Sequence, residues 1–269
     1  METLATFTGS RRQKTYRDVQ LSPALNSTPW EQFSGLVSHD PGAVYVFKDD
    51  FDTLDTEAAN GTWLSTKGTG GTLALAAQAC GVLNVPTAAS ASDYLVLSTQ
   101  KAVFKLAAGL PIAVEGYLNL TEAATNAASW FFGLTSSITA GWITVAGAPA
   151  ASYSGAMFWK ATGGLALAFQ TSNATTRSTI ATNVTVVSGQ SYILGLVLDP
   201  NDGVTANVTY YISTVIAGVR SLLATGTQTL TLASLANMYL AFGVMCGSGG
   251  AAETLSVDYV QVYQARVQF

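Results

Sequence analysis

Short segments of strand length, each closed off by turn-forming residues, recur from residue 44 to residue 264 of this chain. They fall at 44–48, 62–65, 73–77, 81–85, 94–98, 102–106, 112–120, 129–134 and 142–145, then at 155–160, 165–170, 178–182, 191–199, 206–213, 220–224, 237–245 and 254–264. Between them stand Asn60-Gly61, Gly163-Gly164 and Asp199-Pro200-Asn201-Asp202-Gly203, residue types that accept the tight or left-handed backbone of turns. The Gly-rich stretches 67–71 and 247–250 read as hairpin turns. Segment 112–120 shows the two-residue period of a half-buried strand. Ala113, Glu115, Tyr117 and Asn119 face one way, and Ile112, Val114, Leu118 and Leu120 the other. Segment 254–264 carries Leu255, Val257, Tyr259, Val260, Val262 and Tyr263, the side chains that pleated surfaces favour. Helical patterning is confined to 22–36 and 121–128, room for a turn or two. Fourteen or more strands at this spacing predict an all-β chain: two large antiparallel sheets in a jelly-roll sandwich, rather than a seven-strand immunoglobulin arrangement. No 20–50-residue period repeats, which excludes a solenoid or propeller.

With 49% hydrophobic and 10% charged residues over 269 positions, the chain is no disordered segment and is long enough for a large core. A net charge of −4 argues against a partner bound by phosphate neutralisation. Charge is distributed unevenly. Residues 1–30 hold four Lys/Arg and two acids, whereas the remainder is acidic. The division predicts an extended N-terminal arm or linker at 1–42 and a sandwich at 43–269. The first twenty residues carry their cations without an apolar run of about seven or more, so they do not read as a secretory signal. No run approaches the roughly 18 apolar residues of a membrane-spanning helix. Globular proteins carry about 25% charged residues, so a surface this neutral suits a chain packed against copies of itself or a partner.

Catalytic chemistry is poorly supplied. The lone His39 lies in the turn-like Ser38-His39-Asp40-Pro41-Gly42, and adjacency in sequence does not build a triad. Cys80 and Cys246 have no ligand-like spacing and read as two buried thiols. One His and two distant Cys leave a zinc site short of ligands. The acid-rich 49–57 reads as a polar turn whose carboxylates accept backbone N–H groups. Asp50, Asp52 and Asp55 within it are weak calcium ligands by type, without EF-hand spacing. Glu115, Asp258, Asp199 and Glu253 are the acids within or beside strands; they form no strand motif of paired glycosidase carboxylates and read as outward or ion-paired. The expectation is no catalytic residue and no cofactor, with calcium the one candidate ion. Trp130-Phe131-Phe132 and Phe158-Trp159 read as core, and Trp142 or Tyr153 as exposed stacking platforms. Arg11, Arg12, Lys14 and Arg17 read as an arm that pairs with acids on a partner.

The sequence resembles a family of tailed-bacteriophage virion proteins with a concanavalin-like jelly-roll domain. The resemblance is carried by Tyr45-Val46-Phe47-Lys48-Asp49-Asp50-Phe51, Ala151-Ser152-Tyr153-Ser154-Gly155-Ala156, Phe169-Gln170-Thr171-Ser172-Asn173, Thr229-Leu230-Thr231-Leu232-Ala233-Ser234 and Ala252-Glu253-Thr254-Leu255-Ser256-Val257-Asp258-Tyr259. It implies a capsid cement (decoration) protein on the outer surface of a phage head. Such a protein bridges major capsid proteins, self-associates as a trimer, and binds neither nucleic acid nor membrane. A tail-fibre or lectin-like module that binds a glycan or receptor is the alternative on the same fold.

Overall fold

The computed structural model describes residues 44–57, 60–76, 81–123, 127–138, 142, 149, 152–200 and 203–266. Fifteen strands and no helix occur among them. The larger sheet runs β13 (Val219–Thr231), β12 (Thr205–Ile216), β11 (Ser191–Pro200), β6 (Ile112–Thr121), β15 (Thr254–Ala265), β4 (Val82–Pro86) and β3 (Ala74–Ala76). Strand β1 (Val44–Asp49) also pairs with β15, along Val260–Ala265, beyond the stretch that pairs with β4. The smaller sheet runs β10 (Arg177–Thr185), β9 (Ala166–Asn173), β8 (Ser154–Lys160), β7 (Ala128–Thr135), β14 (Tyr239–Cys246), β5 (Tyr94–Thr99) and β2 (Trp63–Lys67). All pairings are antiparallel. The arm expected at 1–42, with Arg11, Arg12, Lys14, Arg17 and His39, lies outside the described residues, as does Cys80.

The main core forms where alternating side chains of the two sheets meet. Val114, Leu118 and Leu120 of β6, with Leu194, Leu196 and Leu198 of β11, face Trp130, Phe132 and Leu134 of β7 and Phe242 of β14. Each such side chain stabilises the fold by about 1.5–3 kcal/mol relative to exposure. Gly116 interrupts the apolar row of β6 for a steric reason. A Cβ there would sit 2.7 Å from the Phe132 ring, so the missing side chain is the socket for that ring. A second apolar cluster lies on the outer face of the smaller sheet, where Trp142 and Tyr153 pack with Phe131, Met157 and Met245. Strand β7 is consequently buried at every position, on both faces.

Four expectations are corrected. Segment 102–106 alternates correctly, with Phe104 and Leu106 buried, but makes only one isolated bridge, Phe104 to Met238, and forms no strand. Trp142 stands in no strand. The stretches 67–71 and 247–250 are not hairpin turns: each links two strands in different sheets, β2 to β3 and β14 to β15. Glycine serves the sharp change of layer there as well as it would a hairpin. Strand β13 continues to Thr231, well past the expected 220–224, because β12 pairs with it throughout.

The hairpin between β12 and β13 turns through Ala217 and Gly218, at φ of 51° and 77°. This is the two-residue turn that matches strand twist, and its first position favours Asn. Ala217→Asn is expected to raise unfolding stability by about 0.5–1 kcal/mol, because Asn tolerates the left-handed region better than Ala. Gly116→Val is expected to cost about 1–3 kcal/mol in chemical denaturation by displacing the Phe132 ring; a neutral result would refute the socket.

Candidate functional site

The outer face of the larger sheet carries a polar row built by strand register. Asn119 on β6 lies opposite Ser191 on β11 and Ser256 on β15, and Ser256 lies opposite Asn84 on β4. Their sequence neighbours Leu118, Leu120, Tyr192, Leu255, Val257, Leu83 and Val85 fill the core, so the four polar side chains point outward together. Asn119 Nδ2 donates to Ser191 Oγ at 3.2 Å and to the Gly189 carbonyl at 2.7 Å, and Ser256 Oγ donates to Asn84 Oδ1 at 2.7 Å.

Beside this row β15 bulges. Its register against β6 shifts between Val257 and Tyr259, leaving Asp258 as the extra residue. Val257 and Val260 both enter the core, so Asp258 and Tyr259 both face away from it. Tyr259 then meets Tyr117, the next outward residue of β6, with ring centroids 6.1 Å apart at 45°. Asn84, Tyr117, Asn119, Ser191, Ser256 and Asp258 line a cleft of about 340 Å³. That volume lies at the small end of ligand sites. Burial, reinforced by neighbouring Asp50, raises the Asp258 carboxyl above the ordinary carboxylate range.

Next to the cleft stands a buried carboxylate on the sheet's outward face. Glu115 is 1% exposed. Its Oε2 accepts from Arg220 Nη1 of β13 at 2.9 Å, and its Oε1 from the Tyr259 hydroxyl at 2.7 Å. Arg220 Nε also donates to Ser213 Oγ of β12 at 3.3 Å. Burial and the Glu115 charge push the Tyr259 phenol far above its ordinary value, so it stays a neutral donor. The network holds Tyr259, and through it the Tyr117 wall of the cleft.

A second group of buried charges sits where loops change sheet. Lys160 Nζ donates to Glu122 Oε1 at 2.8 Å and to the Ala128 carbonyl at 2.9 Å. Glu253 Oε2 accepts from the Ala123 N–H, while its buried Oε1 has no partner among the described residues. Asp93 accepts from the Thr69 and Ala88 N–H groups. These acids bind loop backbone that no ladder satisfies, which is structural work.

The residues singled out by type fare differently. Glu115 is ion-paired as expected, and Asp199 is exposed at the end of β11. In the acidic turn, Asp49 accepts from the Phe51 N–H and the Trp63 indole, and Asp55 from the Glu57 N–H. Asp52 and Asp55 are exposed and Asp50 lies beside Asp258; among the described residues no three His, Cys, Asp or Glu gather as a metal-binding group. Cys246 is a buried free thiol. Trp142 and Tyr153 are no exposed platforms. Both are buried, their rings 5.0 Å apart and edge-on, with the Tyr153 hydroxyl donating to Gln170 Oε1. The outer face of the smaller sheet is apolar at Phe131, Met157 and Met245, and these aromatics cover it. Sequence reasoning missed Asn84, Ser191, Ser256 and Arg220. The outward alternation of β6 and the strand acid Asp258 were the signals that pointed toward the cleft.

No family model matches the chain, and no curated protein matches its sequence. Solved structures do match. A protein of unknown function from Shewanella oneidensis MR-1 aligns with a TM-score of 0.58 at 15% identity, over 98% of this chain and 97% of that one. Peanut lectin aligns with a TM-score of 0.56 at 12% identity, over 82% of this chain and 97% of that one. Lectin II from Ulex europaeus gives 0.53 at 12% identity, over 82% and 98%. The likeness establishes a concanavalin- or lectin-like jelly-roll sandwich. At such identities it establishes the fold alone.

Burial raises the Glu253 carboxyl above its ordinary value of 4.5, with the Glu122 charge adding to the effect and the Ala123 N–H and Lys160 opposing it. The folded chain therefore holds this proton more tightly than the unfolded one. The group favours the fold in acid and costs stability as pH rises past the ordinary carboxylate range. Glu253→Gln, which keeps an acceptor for Ala123, is expected to melt progressively higher than the parent as the buffer moves from acid to neutral. A melting difference that is the same at every pH would contradict this assignment.

Proposed function

We propose that this protein is a non-catalytic, lectin-like module that takes a neutral glycan in the cleft over β4, β6, β11 and β15. The observation that carries the reading is the four-strand row Asn84, Ser256, Asn119 and Ser191 lying beside the Tyr117 ring. A sugar presents hydroxyls that both donate and accept, and one face of C–H groups. Side-chain amides and hydroxyls match the first because each can play either role. An aromatic ring matches the second. Asp258 adds an acceptor, and its charge together with that of Asp50 disfavours anionic sugars.

The lectin-type likeness supports this module better than the capsid-cement role expected from the sequence. The arm residues that role relies on, Arg11, Arg12, Lys14 and Arg17, lie outside the described residues.

The test is a glycan array followed by calorimetry on whatever binds. Asn119→Ala removes one hydrogen-bonding group and is expected to weaken binding roughly 2- to 10-fold, the equivalent of about 0.5–1.5 kcal/mol. Tyr117→Ala removes the wall and is expected to weaken binding by a similar or larger factor. Binding that neither substitution alters would move the site elsewhere. Hydrolysis of the bound glycan, lost in Asp258→Asn, would replace a binding module with an enzyme.

A further inference from the structure

Three ionisable side chains meet out of water where β6 and β8 end, and those two strands belong to different sheets. Lys160, the last residue of β8, is 0% exposed, as is Glu253 beside the start of β15. The Glu122 side chain, one residue past the end of β6, is 3% exposed. A lysine is almost never enclosed so completely, and taking its charge out of water is costly even with a partner.

A structural ion pair accounts for two of the three. Glu122 Oε1 accepts from Lys160 Nζ at 2.8 Å and from the Ala128 N–H at 3.0 Å, and Nζ also donates to the Ala128 carbonyl. It does not account for Glu253. That carboxyl feels the charges of both Glu122 and Lys160, yet its buried Oε1 has no hydrogen bond among the described residues. Its Oε2 accepts from the Ala123 N–H, so the proton that burial makes it retain sits on Oε1. An amine, a carboxyl group and a proton carrier enclosed together are the components of amide formation.

We infer that Lys160 and Glu122 condense into an intramolecular amide bond, a covalent strut between the smaller and the larger sheet. Glu253 protonates Glu122 Oε2 and takes a proton from Lys160 Nζ, so that a neutral amine faces a neutral carboxyl. The Nζ lone pair attacks Glu122 Cδ, and the C=O π pair moves onto Oε1. The Ala128 N–H already donates to that oxygen and stabilises the charge it gains. The bond from Cδ to Oε2 then breaks, a second Nζ proton passes through Glu253 to the departing oxygen, and water leaves. Neither an oxidant nor a reductant enters. Contact held by the fold stands in for a very high reactant concentration, and burial disfavours the charged pair that would otherwise resist condensation. The inference does not depend on the glycan cleft.

The experiment is intact-mass measurement of the full chain, followed by proteolytic mapping. The parent is expected one water lighter than its sequence, with a branched peptide joining residues 122 and 160 and no tryptic cleavage after Lys160. Lys160→Met removes the nucleophile and is expected at full sequence mass, melting roughly 10 °C lower because the strut no longer constrains the unfolded chain. Glu253→Gln cannot carry the proton. In cell-free synthesis sampled over time it is expected to lose the water about 100-fold more slowly and to reach the same final mass, so its matured form carries the strut. That time course carries the test if Lys160→Met does not fold. A folded parent at full sequence mass would overturn the inference. So would a loss of water mapped to other residues, or a Glu253→Gln chain that reacts at the parent's rate.

Discussion

A carboxylate that faces outward from a sheet and still has almost no contact with water must find its compensation in neighbouring strands. Glu115 finds it in Arg220, Tyr259 and Gln261, drawn from β13 and β15. Breaking a buried pair by removing one partner costs about 3–5 kcal/mol, far more than a surface pair contributes. A one-residue slip of β6, β13 or β15 would turn its member of the network toward the core. The polar network thus selects a register that the apolar alternation already favours, and the two constraints agree. Tyr259, the Tyr117 ring and the Asn–Ser row take their positions from that agreement.

The scarcity of charge has an intramolecular source that composition does not reveal. A sheet covered on one face leaves half its positions for polar side chains. Here β7 is buried on both faces, and β11 at eight of its ten positions. The Trp142–Tyr153 layer covers one sheet from outside. On the other, Val44, Ala113 and Val197 pack with Tyr211 and Tyr263. Strands enclosed in this way read as continuous apolar runs. Much of the neutrality that suggests packing against other chains is therefore used inside this one.

The layout of the strands is legible in the sequence because period-2 alternation and turn residues are local signals. Segment 112–120 is the clearest case: its outward set, Ala113, Glu115, Tyr117 and Asn119, is the set that supports the cleft. What escapes is non-local. Whether a glycine-rich stretch reverses a strand or changes sheet depends on partners that lie far along the chain, so 67–71 and 247–250 look like hairpins and are not. Trp142 and Tyr153 look like loop aromatics until Phe131 and Met157 are found beneath them. The bulge at Asp258 is invisible in sequence, since Val257-Asp258-Tyr259-Val260 simply loses its alternation for one step. Ser191, Asn84 and Ser256 are ordinary polar strand residues until pairing lines them up.

Strand β15 follows in the chain every strand it joins, and it sits between β6 on one flank and β4 with β1 on the other. During translation, those strands emerge before the piece that unites them. Without β15 the larger sheet is three separate groups, β1, β3 with β4, and β6 with β11, β12 and β13, and they can join only once β15 has left the ribosome. Contacts this distant in sequence close slowly. Assembly of the sheet is thereby deferred to a late, cooperative step, and the interval before it is when the growing polypeptide most needs shelter from its neighbours.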